Sequence, residues 1–292
     1  MKNAVWKKEM QLSVRKKKTV AGMLIFNLLL IVCTLFCYHL LFEKGQIFTY
    51  ANYSEMKNLY EIIMVVEVFL VAFITPAVTA GSIVGEREKQ TLDILFTTSL
   101  SSGNIILGKL VSSISTLMLY LVSALPVLFI VLSVGGLKVW DIPVCMLYIL
   151  VAAIYIGSFG IFFSTVFKKS VVATVWSYGS VLFVMVASYF IIYFADLLNG
   201  KEEIDLPMCV ICVLVLFNPV ASVTNLLTLQ LGVDVREWST FWCLEDSWNW
   251  LDHGSLGLWF ALAVAVQLVT AAILLNSATK RLNPVKDKKR KG

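Results

Sequence analysis

Gly85-Glu86-Arg87-Glu88-Lys89-Gln90-Thr91-Leu92-Asp93-Ile94-Leu95-Phe96 packs both signs of charge into a few residues and runs straight into leucines, with apolar stretches on either side at Leu59 to Val84 and Leu110 to Val134. Charge of this density does not sit in hydrocarbon, whereas each flank is long enough to cross it. The block therefore reads as a connector held at one membrane surface. The rest of the chain agrees, because 59% of its 292 residues are hydrophobic and only 15% charged, far from the balance of a soluble domain. Runs long enough to span fall at Thr19 to Phe42, Leu59 to Val84, Leu110 to Val134, Pro143 to Phe167, Val171 to Ala195 and Ser255 to Ala278. They predict an all-α membrane protein with six transmembrane helices.

The first run follows a basic leader but is too long for a signal-peptide core and lacks a small-residue cleavage site, so it is expected to stay as an anchor. Trp6, Met10 and Val14 recur at helical spacing among leader charges, which predicts an interfacial elbow helix over residues 1–18. With the leader inside, 19 of the 24 Lys and Arg residues fall in the cytosol, leaving Lys44, Lys57, Lys138, Lys201 and Arg236 outside. The net charge of +5 then reads as topology and contact with anionic lipids rather than nucleic-acid binding. A further apolar run, Leu206 to Leu231, is broken by Asn218-Pro219. A crossing there would carry the basic tail of residues 279–292 outside, so a re-entrant or interfacial segment within the outer stretch 196–254 is expected before span six.

Residues that carry chemistry are sparse. Gly103-Asn104-Ile105-Ile106-Leu107-Gly108-Lys109 begins like a phosphate-binding loop, but Leu110 stands where Ser or Thr would hold magnesium. His39 and His253 are too scattered for a metal cluster, and the six cysteines read as small apolar fillers, although Cys209 and Cys212 leave an outer disulfide open. Glu67, well inside span two, needs a partner or water and is a candidate for a polar substrate path, whereas Glu61, nearer the surface, is expected to be solvated. Pro76 and Pro126 are expected to bend their spans, and Pro76 joins the candidate path. Trp238 and Trp242, in an outer cluster with Trp248 and Trp250, read as an interfacial belt or, with Asn218 and Pro219, as a candidate outer gate.

After the charges, Leu92, Leu95 and Phe96 make a short apolar face at helical spacing, and Asn104 is placed to cap the helix of span three. A cytosolic coupling helix within residues 85–104 is expected. These residues resemble the ABC type-2 transporter permease family, whose segment between spans two and three runs E-R-E-x-G-T-L-E-x-L-L, then T-P-x-S, then G-K. Glu86-Arg87-Glu88-Lys89, Thr91-Leu92-Asp93-Ile94-Leu95, Thr98-Ser99-Leu100-Ser101 and Gly108-Lys109 follow that order, with Gln90 in place of the glycine, Asp93 in place of the glutamate, Ser99 in place of the proline and Asn104 in place of a frequent glutamate. The resemblance implies an exporter half that pairs with a second permease half and engages a separate ABC ATPase subunit through Glu86, Arg87, Glu88, Lys89, Thr91, Leu92, Leu95 and Phe96. ATP and magnesium would belong to that subunit, with no cofactor and no catalysis in this chain. The implied location is a bacterial cytoplasmic membrane, with both termini cytosolic. A membrane scaffold or sensor subunit, and an ion-coupled secondary transporter, are the other classes this layout allows.

Overall fold

A computed structural model describes residues 17–42, 52–92, 101–135, 138–199, 213–232 and 253–282. The described residues are helical and contain no strand. In chain order the helices are α1 (Lys17–Phe42), α2 (Asn52–Thr79), α3 (Val84–Glu88), α4 (Ser102–Gly135), α5 (Asp141–Val166), α6 (Ser170–Asn199), α7 (Pro219–Leu231) and α8 (His253–Arg281). Six stretches of these helices are long and apolar enough to cross a membrane, as the hydropathy predicts. The helical form follows from lipid itself, where every backbone N–H and C=O must be paired within its own segment. Most of the expected elbow helix, Leu95, Phe96, the outer tryptophans and the last ten residues lie outside the described set, as do Cys209, Cys212 and Cys243.

The bundle is organised around α5, which packs against α2, α4, α6, α7 and α8. Its apolar window is 61% buried, against 11% for α1, which therefore offers most of its surface to lipid or to another protein. Small residues allow the close approach: on α5, Gly157 faces Thr75 and Thr79 of α2, and Gly160 lies directly against Thr79. Without the water-driven hydrophobic effect, such contacts carry helix association in a bilayer. One large core joins α1, α2, α4, α5 and α7, with Val181 and Met185 of α6 and Ala271 of α8. A smaller one, built from Ile83, Leu92, Ile105, Ile106, Leu110, Ile161, Ala278 and Leu282, sits where the charged block meets the bundle.

Boundaries differ from the hydropathy reading where side chains rather than apolarity decide them. α2 starts at Asn52, ahead of the apolar run that begins at Leu59, and ends at Thr79. α4 starts at Ser102, and Ser101 caps it, its Oγ accepting from the Asn104 N–H at 3.3 Å, so Asn104 lies in the first turn instead of capping. α2 and α4 run through Pro76 and Pro126 without interruption. Glu61 is 4% exposed, so the solvated position expected for it is corrected: α2 turns it into the bundle.

Candidate functional site

Four residues after Pro76, the chain leaves the helix of span two and starts a new one. The Thr75 and Thr79 hydroxyls donate to the carbonyls four residues back, Val71 O and Thr75 O, at 2.6 and 2.7 Å. Residues 80–83 form a turn, and α3 begins at Val84. A helix start leaves N–H groups without partners. Ser164 of α5 supplies the acceptor, its Oγ taking bonds from both Ile83 N and Val84 N at 2.9 Å. This side-chain cap from another helix was not foreseen, and nothing local in the sequence around residue 83 signals it.

α3 ends in a Schellman closure, with Thr91 N donating to Glu86 O at 2.9 Å and Gln90 N to Arg87 O at 3.1 Å. That geometry needs a left-handed residue, and Gln90 occupies it at φ 58°. The position is the one where the family pattern carries glycine, which takes this backbone at no steric cost. Gln90→Gly is therefore expected to stabilise the chain by about 1 kcal/mol, read as a raised midpoint of thermal unfolding in detergent. An unchanged or lowered midpoint would show that the turn is not held in this form.

The three charges of α3 go to three different helices. Glu86 accepts from Lys109 of α4 at 3.1 Å and from the Thr91 hydroxyl. Arg87 donates through Nη1 to Phe167 O at 3.3 Å, at the carbonyl end of α5 where a cation is favoured. Glu88 accepts both the Ser170 N–H, at 2.7 Å, and the Ser170 hydroxyl, at 2.6 Å, at the opening turn of α6. Lys89 and Gln90 are exposed. Leu92, 8% exposed, belongs to the small core with Ile105, Ile106 and Leu282. The expectation that Leu92 shares an outward apolar face is corrected, since burying it against α4 and α8 removes it from any partner.

Lys109 completes the contrast with a phosphate loop. Residues 103–109 form the opening turns of α4 rather than a loop wrapped around a phosphate, and the lysine is held by Glu86.

The second site is the break before α7. Asn218 caps α7 through its Oδ1, which accepts from Val220 N at 2.9 Å, and Pro219 opens the helix where its missing N–H costs nothing. The Asn218 amide donates to Met185 O at 2.9 Å and to Ser188 Oγ at 2.7 Å, both on α6. Around it, the Tyr148 hydroxyl donates to Pro219 O at 2.9 Å, and Gln267 Nε2 donates to Ser222 Oγ at 3.0 Å. Thirteen residues of α7 are too few to cross a bilayer. The far end of α7 meets Lys57, whose Nζ donates to Leu231 O at 3.0 Å, and Gly232 closes it at φ 60°. Beside the break, a cavity of about 370 Å³ is lined by Phe183, Ser188, Leu214, Phe217, Thr270 and Leu274. Neither Glu67 nor Pro76 lines it. Glu67 is completely buried within the bundle.

No curated protein matches the chain. The family profile described as ABC-2 family transporter protein matches residues 3–270, which runs from the leader to the middle of α8. The match covers most of a chain that carries six helices long and apolar enough to span, and the chain belongs to the ABC-2 family of transporter proteins as a multi-pass membrane component.

Proposed function

We propose that the chain is the permease half of an ATP-driven exporter, paired with another copy or a paralogue and driven by a separate ATPase that docks on the segment from Glu86 to Phe96. The observation that supports this reading is the division of Glu86, Arg87 and Glu88 among α4, α5 and α6. A displacement of the turn is delivered to three spans at once, which a solvated connector would not do. Glu86, Arg87 and Glu88, which the resemblance includes in the ATPase contact, are engaged with partners inside the chain. Docking then falls to Leu95 and Phe96, with Lys89 at the edge. ATP and magnesium stay with the ATPase, and both termini of this chain face the same cytosolic compartment.

Replacing Leu95 and Phe96 together by Ala is expected to weaken copurification of the ATPase by about 3 kcal/mol, roughly a hundredfold in affinity. Glu86→Gln should leave copurification intact and lower transport per ATP hydrolysed, because it loosens the turn from Lys109. A cysteine at Lys89 should react with a membrane-impermeant reagent only from the ATPase side. Undiminished binding in the double variant would sink the docking assignment.

A further inference from the structure

Glu67 lies on α2 with none of its surface exposed, and neither carboxylate oxygen has a hydrogen-bond partner. A buried carboxylate needs compensating positive charge. Among the described residues no Lys, Arg or His side chain is buried, and no group of acidic, Cys or His side chains is gathered to hold a metal. A proton is the cation that fits.

The surroundings give that proton a route. Tyr60 stands two helical turns from Glu67 on the same face of α2, about 10 Å along the axis. Its hydroxyl is likewise buried without a hydrogen-bond partner, on the side of α2 that faces the Cys145 thiol of α5. Cys145 Sγ then contacts Gln230 Oε1 at 3.2 Å, and Gln230 Nε2 donates to Asp141 O at 3.1 Å, where the helices reach the half-buried Asp141 and Lys57. The interval between Glu67 and Tyr60 is long enough to need a bridging water. Asn225, on the α7 helix that packs along α2, has a buried amide donor with no partner, a group able to hold a water. Further titratable groups lie on α2 itself and on the helices packed against it, among them Glu61 of α2, Cys33, Cys37 and His39 of α1, Lys109 and Tyr120 of α4, Tyr148 and Tyr155 of α5, and Tyr189 and Tyr178 of α6, the last donating to Phe73 O.

We propose that Glu67 is an intramembrane proton-binding site, its proton delivered by water that enters from the Asp141 end along the polar groups of Gln230, Cys145 and Tyr60. Taking up the proton converts the carboxylate to the acid and needs no other reactant. The inference stands apart from ATPase docking, which can fail without affecting it.

Infrared spectra of the full chain in lipid nanodiscs test it directly. The carbonyl band of a protonated carboxyl should be present in the native chain and lost in Glu67→Gln, while Glu61→Gln retains it. Transfer to deuterated water should shift the band, and Gln230→Leu should slow that shift severalfold. A spectrum of Glu67→Gln that superimposes on the native one would overturn the site, and an unchanged exchange rate in Gln230→Leu would overturn the route. Dicyclohexylcarbodiimide, which adds to protonated carboxyls in apolar surroundings, should modify Glu67 of the native chain by peptide mass, so the claim does not depend on a variant folding. Modification of other carboxyls with Glu67 untouched would count against it.

Discussion

Gly160→Ala is expected to destabilise the bundle by about 2 kcal/mol and to lower transport out of proportion to its size. A Cβ built on Gly160 overlaps the Thr79 side chain and comes within 3.2 Å of Ala80 N. The obstacle includes backbone, so no rotamer change relieves it, and the end of α2 must move away from α5. That end is the point from which residues 80–83 lead into α3, and one turn along α5 Ser164 caps that same restart. The substitution therefore strikes packing and the charged turn together. Gly179 supplies the control, since a Cβ there meets nothing within 4 Å, and alanine should be neutral or slightly favourable in the interior of α6. Thermal unfolding in detergent and transport in proteoliposomes read both. Equal midpoints for the two variants would contradict the close α2–α5 crossing.

Asn218→Leu should cost about 3 kcal/mol, the sum of a lost helix cap and of buried groups left unpaired. Asn218 is fully buried, and removal of its amide strands Val220 N, Ser188 Oγ and Met185 O where water does not reach. Asn218→Ser keeps an oxygen able to cap α7 but loses both donors to α6, so it should fall between leucine and the native chain. Midpoints in the order native, serine, leucine would support the role of the amide. A leucine variant as stable as the native chain would show that α7 is held by its apolar contacts with α2 and α8 alone.

The two breaks in the chain differ in how far they could be read in advance. Asn218-Pro219 is legible, because a capping side chain followed by a proline at the first helical position is a local signal, and the structure places a helix start there. Gln90 is half legible: its departure from a glycine pattern is visible in sequence, but the left-handed backbone that explains the glycine is not. Leu92 misled because period alone defines a face without saying which neighbour covers it. Glu86 and Lys109 are 23 residues apart, and Glu88 and Ser170 are 82 apart. No window of sequence joins such partners.

What the sequence determined by itself was the set of six apolar helices long enough to span, since transfer into lipid depends on the composition of each segment and not on its neighbours. The tertiary structure decided that α5 is central, that Glu86, Arg87 and Glu88 reach three separate helices, and that Ser164 caps a helix to which it does not belong. Those choices rest on which residues are small enough for two helices to touch and on where unpaired polar groups then find each other. Both are properties of pairs of segments, and they come into being only when the helices pack.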